Sequence, residues 1–289
     1  MHPPKVSIGL PVYNGEKYLR EAITSILDQD FTDYELILAD NASTDGTEAI
    51  CREFAAKDAR IRYYRNPENI GAGGNFRLTF SLARGEFFKW ATYDDVHRPG
   101  CLRRLTEVLE TAPEKVVLVA PRNEIIDEES ALVKARSVEH LQTTRPTAHG
   151  RLSETMSRYA LGVAQFGLYR TATLARTRLI DDFPHSDNVL LAELAMLGEI
   201  WEVDEILFAR RYHLEVSTAI NKTKTDFTLW FNPKAKGKAL KRLLTFEYMR
   251  SALRMPPNPL EKALCLGVVV RHVLLKKFNK YFGDTNVST

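Results

Sequence analysis

The sequence predicts an α/β fold in which a mostly parallel sheet is flanked by helices and followed by a helical extension. Short apolar runs alternate with segments whose apolar residues recur at helical spacing, the pattern of strands joined by crossover helices. The chain has 289 residues, of which 44% are hydrophobic, enough to bury a substantial core. Residues 221–289 carry 14 Lys and Arg against 4 Asp and Glu. We therefore expect a main domain over 1–220 and a basic extension over 221–289.

The elements of the first 120 residues follow from this alternation. Apolar runs rich in β-branched and aromatic residues predict strands, and helical spacing predicts the segments between them. Pro99-Gly100 marks the start of the last of these helices, because proline is tolerated in a first helical turn. The predicted strands cover 6–12, 34–39, 61–64, 86–92 and 116–120, and the predicted helices cover 18–27, 47–54, the later part of 71–83, and 100–109.

Beyond residue 121 the pattern changes. Residues 122–150 are charged and polar without a clear period, which predicts a long loop. Periodicity returns with helices over 171–179 and 188–197 and a strand over 206–212. Two basic amphipathic helices, separated at Pro256-Pro257, are expected between 234 and 282.

Polar clusters follow three of the predicted strands at the point where each strand ends. Residues 11–15 end the first strand, 40–46 the second and 93–95 the fourth. Because the carboxyl ends of parallel strands meet at one edge, where open α/β sheets bind ligands, these clusters should converge. Adjacent carboxylates such as Asp94 and Asp95 repel each other unless a cation or solvent relieves them. Together the clusters are what a nucleotide and a metal ion require.

The strand-end motifs resemble those of family 2 glycosyltransferases. The resemblance covers about residues 5–215 and is carried by Pro11-Val12-Tyr13-Asn14, residues 39–47, Asn69-Ile70-Gly71 with Asn75, and the acidic pair 94–95. It implies the A-type nucleotide-diphosphosugar (GT-A) fold and sugar transfer with inversion onto an acceptor hydroxyl. The residues that it implies for binding the nucleotide-sugar are Pro11, Tyr13, Asn14, Asp40, Asn41, Asn69, Gly71, Asn75 and Asp94.

The resemblance also implies a metal site. Asp94 and Asp95 match the acidic motif of the family, with Pro99 at the family's spacing, while Thr92 stands where the motif has its first aspartate. His213 resembles a family histidine of the metal or diphosphate site. We therefore expect Asp94, Asp95 and His213 to hold Mg²⁺ or Mn²⁺, which would stabilise the leaving diphosphate.

Asp187 resembles the second member of the family's acidic pair, the general base that accepts the proton of the acceptor hydroxyl. Ser186 stands at the first position of that pair, where the family has glutamate. Capping is the alternative for Asp187, which directly precedes the helix predicted over 188–197 at a position that aspartate favours. Asp40 has a similar alternative as a turn or cap residue.

The composition predicts the cellular setting. Three cysteines, far apart and outside any metal-ligand spacing, predict a reducing compartment, and the N-terminal residues lack the pattern of a signal peptide. We therefore expect a cytoplasmic protein. The basic tail predicts peripheral contact with an anionic membrane, and the alternative is that its apolar faces pack on the main domain. Because the tail lacks the aromatic platforms of nucleic-acid binders, we expect no nucleic acid as a partner.

Two functions follow from these motifs. The first, which we favour, is an enzyme that moves a sugar from a UDP- or dTDP-linked donor to a glycan or lipid-linked acceptor in cell-surface polysaccharide synthesis. The second is a non-catalytic nucleotide-sugar-binding module of the same fold, suggested by Thr92 and Ser186. A fold by itself does not name the sugar, the base or the acceptor.

Overall fold

A computed structural model describes residues 2–136, 140–157, 164–213, 223–235 and 244–282. Their strands are β1 Val6–Val12, β2 Tyr34–Asp40, β3 Ile61–Arg65, β4 Phe87–Trp90, β5 Val96–His97, β6 Val116–Ile126, β7 Leu132–Lys134, β8 Leu168–Arg170 and β9 Glu199–Arg211. They form one sheet in the order β3-β2-β1-β4-β8-β6-β9-β5, with β7 paired to β6.

Helices cover both faces of this sheet. In the described ranges they are α1 Leu19–Leu27, α2 Thr47–Lys57, α3 Gly71–Ser81, α4 Cys101–Thr111, α5 Ala148–Ser157, α6 Thr171–Leu174, α7 Ser186–Leu197, α8 Lys224–Phe231, α9 Leu244–Arg254 and α10 Pro259–Phe282. Successive strand side chains point to opposite faces, so Phe87 packs with α1 and α4 while Phe88 packs with α7. Each buried side chain of this size contributes about 1.5–3 kcal/mol to stability.

Parallel pairing positions the site. The strands β3, β2, β1 and β4 pair in parallel, so their carboxyl ends meet at one edge, with Val12 directly opposite Asp40. The strand β8 is antiparallel to β4 and β6, and β9 runs parallel to β6. The predicted α/β fold with a mostly parallel sheet flanked by helices is confirmed.

The loop predicted over 122–150 is shorter than expected, and it contains the short strand β7. The strand β6 continues to Ile126 beside β9, and α5 begins at Ala148. The charged residues at the end of β6 interrupt the alternation that predicts a strand. In the fold they form ion pairs, and Arg122 Nε lies 2.6 Å from Glu202 Oε1. The helix predicted over 171–179 is also too long, since α6 ends at Leu174.

Both predicted tail helices are confirmed, and each packs one face on the rest of the chain. They share a buried apolar cluster with α5 and α7, which contains Ala148, Leu152, Ala192, Met196, Ala252, Met255, Cys265 and Val269. The predicted domain boundary at 220 and residues 236–243 lie outside the described residues. Among the helices that are described, none is both long enough and apolar enough to span a membrane.

Candidate active site

The loop after β4 places its two aspartates in different surroundings. Asp95 is buried, and its oxygens accept hydrogen bonds from the Thr92 hydroxyl at 2.5 Å and from the Arg211 backbone N–H at 2.8 Å. Burial and the neighbouring charge of Asp94 raise the pKa of Asp95. One oxygen of Asp94 instead lies beside His213. The geometry thus makes Asp95 a brace of the loop and leaves Asp94 toward the site.

Arg211 holds this loop from inside the protein. Its buried side chain donates to the Asp94 backbone oxygen at 2.8 Å, to the Glu21 carboxylate at 2.6 Å, and to oxygens of the loop 127–130. A buried guanidinium needs such a full set of acceptors. The neighbouring Arg210 is exposed, because successive strand side chains point to opposite faces.

His213 follows β9 and contacts the same loop. Its Nε2 lies 3.1 Å from Asp94 Oδ2, and its buried ring packs beside Tyr18 with the ring centroids 4.8 Å apart. Its second ring nitrogen, Nδ1, has no hydrogen-bond partner among the described residues. A ring nitrogen of His213 and a carboxylate oxygen of Asp94 therefore lie within hydrogen-bonding distance of each other.

The Asp94–His213 pair fits part of a metal site. Within the described ranges, no group of three or more His, Cys, Asp and Glu side chains is placed to hold a metal ion. Adjacent octahedral ligands at ~2.1 Å from Mg²⁺ lie about 3.0 Å apart. The separation of 3.1 Å between Asp94 Oδ2 and His213 Nε2 matches this spacing. Because Mg²⁺ often takes few protein ligands and completes its shell with phosphate oxygens and water, two ligands suffice when a diphosphate is bound.

Asp40 ends β2 and is fully buried. Its Oδ1 accepts from the Ser43 backbone N–H at 2.8 Å, and its Oδ2 accepts from the Tyr63 hydroxyl at 3.0 Å with Arg65 Nε at 3.4 Å. The bond to Ser43 is the local turn contact that aspartate favours. A carboxylate has further acceptor positions, so this contact leaves room for a second role.

Four asparagines link the end of β2 to the start of α3. Asn41 accepts from Asn66 at 3.0 Å and donates to Asn69 at 2.9 Å. Asn75 is buried, accepts from Asn66 at 3.0 Å and donates to the backbone oxygen of residue 39 at 2.7 Å. The structure thus brings the predicted residues Asn41, Asn69 and Asn75 together, with their amide groups bonded to the protein itself.

The glycines at the start of α3 lie against backbone of the same chain. Gly71 has a φ of +81°, and a Cβ there would overlap the backbone oxygen of Phe231. A Cβ on Gly73 would lie 2.6 Å from the backbone oxygen of Asp181. Gly71 and Gly73 therefore permit close approach of two protein segments.

The residues after β1 form the facing lip of the crevice. Pro11 is buried within β1. Asn14 has a φ of 50° and accepts from the Thr44 backbone N–H at 2.9 Å, while its own N–H donates to the Ser43 hydroxyl at 3.0 Å. The Tyr13 ring is 40% exposed, so it presents an aromatic surface at this lip.

Asp187 lies in the first turn of α7. The helix begins at Ser186 and its N-cap residue is His185, with a φ of 64°, so the placement of Asp187 at the N-cap is wrong. Burial raises the pKa of Asp187, while the Asn188 backbone N–H and the charges of His185 and Arg210 act against this rise. The charge of Arg210 also lowers the pKa of Asp95, against the effect of burial. The same guanidinium therefore acts on Asp95 and on Asp187.

Residues 7–159, more than half of the chain, match the family described as Glycosyl transferase family 2. The chain belongs to the family 2 glycosyltransferases.

Curated proteins that the chain is similar to are named as glycosyltransferases. The chain is 36% identical over 129 residues to an uncharacterized glycosyltransferase of Rickettsia typhi, covering 45% of this chain and 39% of that protein. It is 24% identical over 213 residues to one of Haemophilus influenzae, covering 73% and 66% of the two chains. With the putative glycosyltransferase EpsE of Bacillus subtilis it shares 38% identity over 108 residues, 37% and 39% of the two chains. The match thus spans about two fifths of the first of these relatives.

Solved structures share the fold of this glycosyltransferase. TarS residues 1–349 of S. aureus, in complex with UDP-GlcNAc, superposes with a TM-score of 0.68 at 17% identity, covering 98% of this chain and 76% of that one. The mannosyltransferase PcManGT of Pyrobaculum calidifontis, in complex with GDP-Man and Mn²⁺, superposes with a TM-score of 0.57 at 15% identity, covering 96% and 76%. At these identities the likeness concerns the fold alone.

Several residues around the candidate site are not predicted by any local sequence pattern. Tyr63 and Asn66 were not singled out, although Asn66 directly precedes the recognised motif at 69–75. Tyr169 of β8 is buried and Tyr248 of α9 is partly buried, and burial followed by the Asp187 charge raises the pKa of both phenols. No local pattern marks these tyrosines, because they reach the site from sequence-distant elements.

Proposed function

We propose that this glycosyltransferase moves a sugar from a nucleotide-diphosphate donor to an acceptor hydroxyl with inversion. The observation that supports it is that the positive charge of Arg210 lowers the pKa of both Asp95 and Asp187 against the effect of burial, so both carboxylates lie within electrostatic range of the same guanidinium. A single displacement needs charge stabilisation for the leaving group and a base for the nucleophile, held by separate groups. The two carboxylate positions meet these two needs.

Asp187 is the proposed general base. The acceptor oxygen bonds to the anomeric carbon while the bond from that carbon to the diphosphate oxygen breaks. The hydroxyl proton passes to Asp187, and the electron pair of the broken bond leaves with the nucleoside diphosphate. Because burial raises the pKa of Asp187, its carboxylate accepts a proton more readily than an ordinary aspartate does.

Asp94 and His213 are the proposed protein ligands of Mg²⁺ or Mn²⁺. The ion would supply positive charge to the leaving diphosphate. Asp95, predicted as a third ligand, instead contributes in this proposal by fixing the loop through Thr92 and Arg211. The Mn²⁺ in the PcManGT complex supports the choice of ion, since that protein shares the fold.

The nucleotide is proposed to lie on the strand-end loops. The exposed Tyr13 ring would stack on the base, and a side-chain oxygen of Asp40 or Asn41 would accept a hydrogen bond from a base N–H. The remaining predicted residues would act by shaping these loops; they are Pro11, Asn14, Asn69, Gly71 and Asn75. The UDP-GlcNAc complex of TarS supports a UDP- or dTDP-sugar, although PcManGT holds GDP-Man on the same fold.

The proposed acceptor is a glycan or a lipid-linked sugar, used in cell-surface polysaccharide synthesis in the cytoplasm and with no nucleic acid as partner. Cys51, Cys101 and Cys265 are all free and buried, which is typical of a reducing compartment. This part of the proposal rests on family membership and composition.

A non-catalytic nucleotide-sugar-binding module is the second candidate, favoured by Thr92 and Ser186 in place of acids. The Thr92 hydroxyl donates to Asp95, and the Ser186 hydroxyl donates to the Asp181 backbone oxygen at 3.1 Å. Both replacements therefore stabilise the loops of the site. Since Asp94 and Asp187 are retained, we favour the enzyme.

Thermal-shift assays with nucleoside diphosphates, with and without Mn²⁺, test the donor site. We expect Mn²⁺-dependent stabilisation by one diphosphate that Asp94→Asn and His213→Gln abolish. Asp33→Asn is the matched control, because Asp33 is exposed and precedes β2 at the end opposite to Asp40. Equal stabilisation without the metal would contradict the metal proposal.

Hydrolysis of the matching donor sugar separates the enzyme from the module. We expect Mn²⁺-dependent release of the nucleoside diphosphate by the unaltered chain. A chain that binds the diphosphate yet neither hydrolyses nor transfers the sugar would be the module.

A further inference from the structure

The helix α10 has two apolar faces. Cys265 and Val269 lie on the face that is buried against the rest of the chain. The opposite face, here called the outer stripe, is between 40% and 69% exposed and consists of Leu260, Leu264, Val270, Leu274 and Leu275. A helix that packs one face on a domain normally has a polar opposite face, so folding of the domain does not account for the outer stripe.

The outer stripe is long, and the neighbouring helix α9 has exposed apolar side chains as well. At a rise of about 1.5 Å per residue, its five residues extend along roughly 22 Å of α10. Phe246 and Leu253 of α9 are exposed as well. Exposed apolar surface of this extent typically marks a contact with another molecule or a membrane.

The exposed charges on the described parts of α9 and α10 are positive. Arg250 and Arg254 of α9 and Arg271 of α10 are exposed, and neither Arg250 nor Arg271 has a partner among the described residues. The two acids of these helices point inward, Glu247 to Arg178 and Glu261 to His149. The outward surface of α9 and α10 therefore combines apolar side chains with cations, two of which no described residue pairs.

We propose that the outer stripe and its arginines dock on an anionic lipid bilayer, with α10 lying along the surface. In this orientation apolar side chains enter the interface while arginines meet lipid phosphates. The positive charge of this surface favours a bilayer over a second copy of the chain. In a symmetric dimer the same arginines of the two copies would face and repel each other. The proposal does not rest on the transfer chemistry.

Co-sedimentation of the full chain with vesicles tests the apolar part. We expect binding to vesicles of phosphatidylcholine with phosphatidylglycerol, weaker binding at high salt, and no binding to phosphatidylcholine alone. The triple variant Leu260→Gln, Leu264→Gln and Leu274→Gln should lower the partition coefficient roughly 100-fold. Leu132→Gln with Val133→Gln is the matched control, because both side chains are exposed on β7, and it should bind like the unaltered chain.

A second pair of variants tests the charge. Arg250→Gln with Arg271→Gln should lower the partition coefficient roughly 30-fold, since each cation near an anionic surface contributes several-fold to binding. Arg20→Gln with Arg52→Gln removes the same net charge from α1 and α2, where both side chains are largely exposed, and should leave binding unchanged.

Three outcomes would overturn the proposal. The first is an unaltered chain that ignores anionic vesicles, or a triple variant that still binds them. The second is dimerisation in sedimentation velocity that the triple variant abolishes, which would make the outer stripe an interface between copies. The third is a melting temperature that falls in the triple variant and not in its control, which would assign the stripe to packing within the chain. Donor hydrolysis without vesicles reports on transfer separately.

Discussion

The two carboxylate positions of the site are held in contrasting ways. Asp94 lies on a strand-end loop that hydrogen bonds from Thr92 and Arg211 fix, within a ladder of parallel strands. Asp187 lies in the first turn of α7, and ion pairs of Arg178 join a later residue of this helix, Glu193, to Glu247 of α9. The first arrangement depends on the sheet, and the second depends on the tail.

The buried charges beside α7 form one connected cluster, here called the α7 clamp, of Arg178, Glu193, Glu247 and Ser251. Arg178 donates to Glu193 at 2.8 Å, to Glu247 at 2.5 Å and to Ser251 at 2.8 Å. Ser251 also donates to Glu193 at 2.7 Å. Burial of these charges costs desolvation energy, so the clamp specifies the position of α9 on α7 more than it adds stability. We therefore expect substitutions in the tail to change the position of Asp187 and to leave that of Asp94 unchanged.

The largest expected effect is that of Asp187→Asn. The amide cannot take a proton, so the transfer rate should fall by about 10²- to 10⁴-fold while the dissociation constant of the nucleoside diphosphate is unchanged. Initial rates and calorimetric titration measure the two quantities. Asp182→Asn, a change of a partly exposed residue paired to Arg77, should keep the rate. An unchanged rate in Asp187→Asn would remove this residue from the chemistry.

Arg178→Met tests the α7 clamp. The change leaves Glu193 and Glu247 buried without their cation, so the free energy of unfolding in urea should fall by about 3–5 kcal/mol. Arg103→Met, which breaks an exposed ion pair with Asp30, should cost less than about 1 kcal/mol. An equal loss of unfolding free energy in the two variants would show that the α7 clamp does not hold α9 on α7.

Gly71→Ala tests the contact between the start of α3 and the end of α8. The left-handed backbone and the overlap with Phe231 should together cost about 3 kcal/mol of unfolding free energy. Gly267→Ala is the matched control, because its Cβ would meet nothing within 4 Å on helix α10, and it should stabilise by about 1 kcal/mol. If Gly71→Ala weakened diphosphate binding without lowering stability, Gly71 would contact the nucleotide instead.

The smallest expected effect concerns pH. The base must be ionised, so kcat/KM should rise with pH through a pKa above the ordinary aspartate value of 3.8, since burial raises the pKa of Asp187. His185 and Arg210 limit this rise. The folded state binds this proton more tightly than the unfolded state, so ionisation of Asp187 lowers stability as pH rises from the unfolded to the folded pKa. Asp187→Asn should remove this pH-dependent loss of stability, which urea unfolding at several pH values measures. If kcat/KM instead rose through the ordinary aspartate pKa, Asp187 would not be the base.

The sequence by itself determined the strands of the first 120 residues and the composition of the strand-end loops. Local alternation predicts β1 to β4, and parallel pairing then requires residues 11–15, 40–46 and 93–95 to meet at one edge. The family motifs lie in these loops, so their presence at the crevice follows from patterns a few residues long. The strand β6 was cut short in prediction, because its charged residues are satisfied across the sheet.

Only the tertiary structure decided what each motif residue contacts. In the folded chain Arg211 is buried and Arg210 is exposed. Both oxygens of Asp95 accept hydrogen bonds, and Gly71 lies against the backbone of Phe231. The tertiary structure also divided the apolar residues of α10 into a buried face and an outer stripe. These outcomes depend on partners far away in sequence, such as residues 178 and 247 of the α7 clamp, and local patterns carry no information about which distant surface a side chain will meet.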